Sequence, residues 1–278
     1  MRKIFSLFLV FPLVAISCNK VESPGVVSDV PQEIILNVDG AGIEAEVQTK
    51  VTAVSSVPSS LYFAGTTGSN TSQSGKWSSQ SKAVSSGKIA TGYYQTASAT
   101  AYNYFLSNVS MSSSESGCTI TADGTSTDAI AGVTKASTST NPSVAMKHIF
   151  ARTGSISGSC SGYNLSNLSV KIQSNSGAGY KGTYNIYTGT WSSITALSST
   201  NLTSSSDLYL IPGSYTITAS ATIQKGDYSG TTSGSTTISL TEGKIHDINV
   251  KFSADPAQPI NVSVTLSNWT TTSVTATI

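Results

Sequence analysis

The chain has 278 residues, of which 38% are hydrophobic and only 10% charged, with a formal net charge of +1. Soluble proteins carry about 25% charged residues, so Ser, Thr and Gly stand here where Lys and Glu are usual. A near-neutral chain has no basic surface for nucleic acid, while β-branched residues and 12 tyrosines spread along it argue against disorder.

The N-terminus reads as an export signal over residues 1–17. Arg2 and Lys3 precede a nearly continuous apolar run from Ile4 to Ile16, about 13 residues against the roughly 20 that a spanning helix needs. Small residues at Ala15 and Ser17 fit cleavage after Ser17, leaving Cys18 first in the mature chain. The stretch is similar to a bacterial lipobox, with Ala15 where Leu is most usual. A lipobox implies lipidation at Cys18, and multiple acyl chains, each buried CH₂ contributing about 0.8 kcal/mol, anchor stably where one does not. An ordinary signal peptidase could cut the same bond. Cys118 and Cys160 remain, an even number in an oxidising compartment; they either pair or lie apart in different domains.

Residues 18–33 read as an extended linker broken by Pro24, Gly25 and Pro31. Two alternating runs follow, Ile34-Leu36-Val38 and Ile43-Ala45-Val47, around an expected turn at Asp39-Gly40. Tyr102-Tyr104-Leu106 alternates again, and Ser110 to Ser143 is rich in turn formers with short apolar pieces such as Ala129-Ile130-Ala131. The second half carries Leu168-Val170-Ile172, Tyr184-Ile186, Leu208-Leu210, a turn at Pro212-Gly213, and Tyr215-Ile217 with Ile223. A turn at Glu242-Gly243 leads to Ile245-Ile248-Val250-Phe252. Last come Ile260-Val262-Val264-Leu266 and Val274-Ala276-Ile278. Beyond the signal no segment shows a helical stripe, and short strands between closely spaced turns predict an all-β chain of two β-sandwiches, over 34–143 and 144–278. The half-apolar terminal strand suits either its own sheet or that of another subunit.

Candidate chemistry is sparse. Gly177, Gly179 and Gly182 satisfy a dinucleotide-binding spacing, but the residues that follow are strand-like where a helix is needed. Gly158-Ser159-Cys160-Ser161-Gly162 has the spacing of a nucleophile elbow, again without a helix. His246 and Asp247 fall on opposite faces of a strand, and His148 reads as a partly buried strand residue bonded to backbone. Neither Cys118 nor Cys160 has a second ligand at zinc spacing, so no metal and no cofactor is expected, and no enzyme activity. Tyr93, Tyr94, Tyr180, Tyr184 and Tyr187 offer rings that could stack on sugars, or that simply cover strands.

Together, the lipobox and the segments LYFAG, VAMKHIFARTG, YLIPGSYTITA, LTEGKIHDINVKF and VSVTLSNWTTT resemble the fimbrillin family of Bacteroides-type bacteria. The resemblance implies two tandem transthyretin-like Greek-key β-sandwich domains in a lipoprotein pilin of the outer membrane and cell surface. It implies a lipid anchor at Cys18 and other pilin subunits as partners, with a host or bacterial surface as the adhesion target. It also implies assembly by strand exchange: a surface protease removes the first strand, and a terminal strand of the next subunit (Ile260, Val262, Val264, Leu266, Val274, Ala276, Ile278) fills the groove. Family processing commonly follows an Arg, yet none lies between Arg2 and Arg152, so the bond between Lys50 and Val51 is the substitute, or the subunit is an uncut anchor. The other reading is a glycan-binding surface lipoprotein that does not polymerise.

Overall fold

The computed structural model describes residues 30–43, 56–67, 77–96, 100–114, 117–203, 208–253, 261–268 and 273–274, and these form strands joined by turns with no helix among them. In chain order the strands are β1 (Gln32–Gly42), β2 (Ser60–Thr67), β3 (Trp77–Ala83), β4 (Lys88–Gln95), β5 (Tyr102–Ser107), β6 (Met111–Ser114), β7 (Gly117–Asp123), β8 (Ile130–Ser137), β9 (Ser143–His148) and β10 (Ala151–Cys160). There follow β11 (Asn164–Ser174), β12 (Lys181–Asn185), β13 (Thr190–Thr195), β14 (Thr200–Leu202), β15 (Tyr209–Leu210), β16 (Gly213–Lys225), β17 (Tyr228–Leu240), β18 (Lys244–Phe252), β19 (Asn261–Asn268) and β20 (Ser273–Val274). The all-β expectation holds.

Four sheets arise. The first has seven strands in the order β3-β2-β5-β8-β9-β1-β4, and it curls until its end strands meet. Ser86 and Gly87, both at positive φ (50° and 70°), make the tight turn that joins β3 to β4, the hairpin geometry that needs left-handed residues. Trp77 of β3 then stacks on Tyr93 of β4 with ring centroids 4.8 Å apart. The curl encloses Ile34, Leu36, Leu61, Phe63, Tyr104, Leu106, Ile130, Val144 and Met146. Gly65 lies directly beneath the Trp77 indole, where a methyl group would have no room.

The outer face of this sheet is covered too. Strand β5 is buried on both sides: Tyr104 and Leu106 face the enclosed core, while Phe105 joins a second core with Ala64, Ile120, Ala131, Phe150 and Tyr184. That second core is roofed by a four-stranded sheet, β13-β12-β7-β6. Its centre is an antiparallel pairing of β7 with β12, from Thr119 opposite Asn185 to Asp123 opposite Lys181. Strands from before and after residue 143 therefore share one sheet. The turn-rich stretch from Ser110 to Ser143 contains β6, β7 and β8, because Ser and Thr side chains occupy the solvent face while Met111, Cys118, Ile120 and Ala122 point inward.

The remaining strands make a sandwich of a five-stranded sheet, β15-β10-β18-β19-β20, on a four-stranded one, β14-β11-β16-β17. Its core includes Val170, Ile172, Tyr215, Ile217, Ile238, Ile248, Val250 and Phe252. The Tyr215 hydroxyl accepts the Gly179 N–H at 3.1 Å and lies 2.7 Å from the Ile211 carbonyl, tying the start of β16 to the loops below it. Gly177, Gly179 and Gly182 lie in that loop and on β12, and Cys160 with Gly162 lies at the β10–β11 turn; neither glycine pattern opens a helix.

Candidate functional site

The geometry that bears on function is the seat of β1. Its residues alternate: Ile34, Leu36 and Val38 point into the first core, while Glu33, Ile35 and Asn37 are only half covered. Each fully buried aliphatic side chain contributes roughly 1.5–3 kcal/mol, so this strand holds its place chiefly by its inward face. Its backbone is bonded on both sides. It runs antiparallel to β4, from Gln32 opposite Gln95 to Asn37 opposite Lys88, and parallel to β9, from Asn37 opposite Ser143 to Gly42 opposite Lys147. Among the described residues no other strand lies between β9 and β4, and β1 bridges them.

Side chains reinforce the seat. Thr91 Oγ1 donates to the Ile34 carbonyl at 2.8 Å, and Glu33 Oε1 accepts the Gly92 N–H at 2.9 Å. The Ile35 and Asn37 N–H groups donate to the carbonyls of Thr140 and Pro142. The expected turn at Asp39-Gly40 is corrected: β1 runs through both residues to Gly42. Strand β9 pairs Ala145 with Asp39 and Lys147 with Gly42, and the Asp39 carboxylate accepts the Ala41 N–H at 3.0 Å, so the stretch between them forms an irregularity in the ladder.

His148 closes the far end of this seat. It is fully buried, with Nδ1 3.0 Å from Asp128 Oδ1 and Nε2 3.3 Å from the Ile43 carbonyl. The expectation of a partly buried, backbone-bonded histidine is thus revised to a fully enclosed one with a carboxylate partner. Asp128 escaped the sequence reading, since nothing local marks a residue twenty positions away as a partner.

The terminal strand sits in its own molecule. Strand β19 pairs antiparallel with β18, from Asn261 opposite Lys251 to Asn268 opposite Lys244, which sets Val262, Val264 and Leu266 opposite Val250, Ile248 and His246. Strand β20 folds back on it, Val274 opposite Leu266. Of the other residues singled out, Cys18, Lys50, Val51, Ile260, Ala276 and Ile278 lie outside the described residues. Cys118 and Cys160 are free, buried thiols, Cys118 in the second core and Cys160 in the sandwich core. Among the described residues no cluster of His, Cys, Asp and Glu could hold a metal.

The five tyrosines do not share one surface, although Tyr184 and Tyr187 line the same pocket beside Lys135 and Lys147. Tyr184 is buried and donates to Glu242 Oε1 at 2.9 Å, Tyr180 packs on the sandwich core, and the Tyr187 ring is covered by Lys135 Nζ at 4.3 Å. Tyr94 is 62% exposed and stands on β4, in the first sheet.

No protein-family model matches the chain, and no curated protein matches it in sequence. Solved structures do. A fimbrial protein from Bacteroides vulgatus superposes with a TM-score of 0.52 at 10% identity, over 86% of this chain and 99% of its own. A candidate cell adhesion protein from Parabacteroides distasonis does so with a TM-score of 0.53 at 12% identity, over 87% of this chain and 97% of its own. Across nearly its whole length, then, the chain is similar in fold to a Bacteroides fimbrial protein.

Proposed function

We propose that the chain is a structural and adhesive subunit of a bacterial surface fimbria, exported as a lipoprotein on Cys18 and polymerised by strand exchange. The observation that carries the reading is the position of β1. Among the described residues an N-terminal strand is the only bridge between β9 and β4, and its removal would open a groove floored by the first core and edged by two unpaired strands. A donated strand with an alternating apolar face meets the same needs: ladder hydrogen bonds on both sides and pockets for every second side chain. Residues 260–278 of another subunit have that pattern. In the lone subunit 261–268 rest on β18, so the donor is parked on its own sheet until a groove is available.

Processing at Lys50, between β1 and β2, would free β1 while leaving β2 to β9 in place. Two tandem transthyretin-like halves fit the recurrence of one arrangement: β1 lies parallel to β9 in the first sheet, and β10 lies parallel to β18 in the five-stranded sheet. Scattered and covered tyrosines give the glycan-binding alternative no particular support.

The test is to cut the precursor at Lys50 with a Lys-specific protease and add a peptide spanning 260–278. Loss of the β1 fragment with uptake of the peptide, and oligomers when intact subunits are mixed, is the expected result. Retention of β1, no uptake and no oligomers would overturn the proposal.

A further inference from the structure

Eight strands end the four sheets, and seven of them carry features that discourage pairing with another chain. Strand β3 has Lys82 and a register break against β2; β4 has Lys88 and a register break against β1. Strand β13 is broken in register against β12, while β6, β14, β15 and β20 are only four, three, two and two residues long. Charges, bulges and shortness are the usual means by which soluble proteins protect sheet edges.

Strand β17 has none of them. It runs for 13 residues without a charged residue or a proline, and its register with β16 is unbroken from Gly213 opposite Leu240 to Lys225 opposite Tyr228. Its inward residues include Thr232, Ile238 and Leu240, buried in the sandwich, whereas Ser229, Thr231, Ser233, Ser235, Thr237 and Ser239 are all exposed. No main-chain bond beyond the β16 ladder reaches residues 228–240 among the described residues.

We infer that the free edge of β17 is a lateral interface, and that its partner is β17 of a second copy of this chain, paired antiparallel to make one continuous eight-stranded sheet. An antiparallel pair of identical strands is related by a twofold axis, so each edge meets its own complement. The edge carries no charge, so a like strand meets no repulsion, and the facing Ser and Thr rows are of the type that pair favourably across strands. A single strand contact falls below the roughly 1,200 Å² of a standard stable interface, so two free molecules associate weakly. This surface lies on the sandwich, away from the β1 seat, and does not depend on strand exchange.

Sedimentation velocity of the full chain at rising concentration tests it. The parent should show reversible dimers, and Ser233→Lys with Ser235→Lys should weaken association at least tenfold by placing like charges across the axis. Both positions are exposed, so circular dichroism and melting should be unchanged. Thr218→Lys, on the same face of the sheet but on the interior strand β16, should associate like the parent. A parent that stays monomeric into the millimolar range overturns the inference. So does a doubly charged variant that dimerises as before, or a Thr218→Lys variant that loses dimers equally, which would mark face contact instead of edge pairing.

Discussion

His148 and His246 hold matching stations. Each is fully buried on the strand that lies parallel to β1 or β10, and each turns a ring nitrogen toward a main-chain carbonyl at or beside that parallel neighbour. His148 Nε2 stands 3.3 Å from the Ile43 carbonyl, just past β1, and His246 Nδ1 stands 3.4 Å from the Arg152 carbonyl. In each case a buried imidazole holds one end of a pair of parallel strands through a main-chain carbonyl.

For His246 the tautomer follows from its partners. Its Nε2 accepts the Thr241 N–H at 3.0 Å, so the proton sits on Nδ1 and donates to Arg152. Burial is the main cause that pushes its pKa down from 6.5 to about 4, against weaker raising effects from the hydrogen bonds to the Arg152 and Lys244 backbones. Above pH 6.5 the ring is neutral in both states and has no effect on the balance. Between 6.5 and about 4 the unfolded chain binds a proton that the fold refuses, so stability falls as pH falls, by about 1.4 kcal/mol per pH unit at most. Below about pH 4 the effect is constant. His246→Gln should remove this component: urea midpoints of parent and variant, compared from pH 8 to 4, should converge as acid is added. A difference independent of pH would sink the argument.

The same histidine shows where the sequence is legible and where it is not. Ile248, Val250 and Phe252 alternate as expected, but the inward position before them belongs to His246, and Ile245 packs on the second core instead. Strict period two outranks hydrophobicity here, because the ring nitrogens find backbone partners. Ile34, Leu36 and Val38 were legible for a complementary reason: one face of β1 meets the core and the other stays half covered. Phe105 and Asn103 were not, since a sheet buried on both faces loses its alternation. The neighbours of β1 lie far along the chain, and such pairing leaves no local mark. For the candidate site, then, the strand itself was readable and its seat was not.

Tyr215 makes a second measurable claim. Its side chain is fully buried, and its hydroxyl accepts from Gly179 N–H while lying 2.7 Å from the Ile211 carbonyl and 2.8 Å from the Gly179 carbonyl. Tyr215→Phe keeps the ring and strips the partner from a buried N–H, which costs about 1–3 kcal/mol. The denaturant midpoint should drop with an unchanged slope. An unaltered midpoint would mean that the hydroxyl carries no net weight.

Cys118 should behave as a buried apolar residue. Burial pushes its thiol up to about 12, so thiolate is scarce at neutral pH. A thiol reagent should leave Cys118 and Cys160 unmodified in the folded chain and label both once it is unfolded, and reducing agent should not change the melting temperature. Rapid labelling of the native chain at Cys118 would contradict the packing of the second core.

Glu242 joins three separate segments, and the two halves of its carboxylate should carry unequal weight. Oε1 accepts from the buried Tyr184 hydroxyl at 2.9 Å, and Oε2 accepts from Lys147 Nζ at 3.0 Å. The lysine side chain is 51% exposed, so solvent and salt screen that pair and its loss costs under about 1 kcal/mol. Tyr184 lies in the second core, where a hydrogen bond to a charged group is worth about 1.5–3 kcal/mol. Lys147→Ala should therefore shift the urea midpoint slightly, with an effect that fades in high salt. Tyr184→Phe should shift it more, at any ionic strength, because this bond starts from a buried hydroxyl and is screened less by solvent and salt than the lysine pair. Equal and salt-sensitive losses in both variants would show that Tyr184 gains nothing from its burial. In that case the link between β12 and the β17–β18 turn would be no stronger than a surface contact.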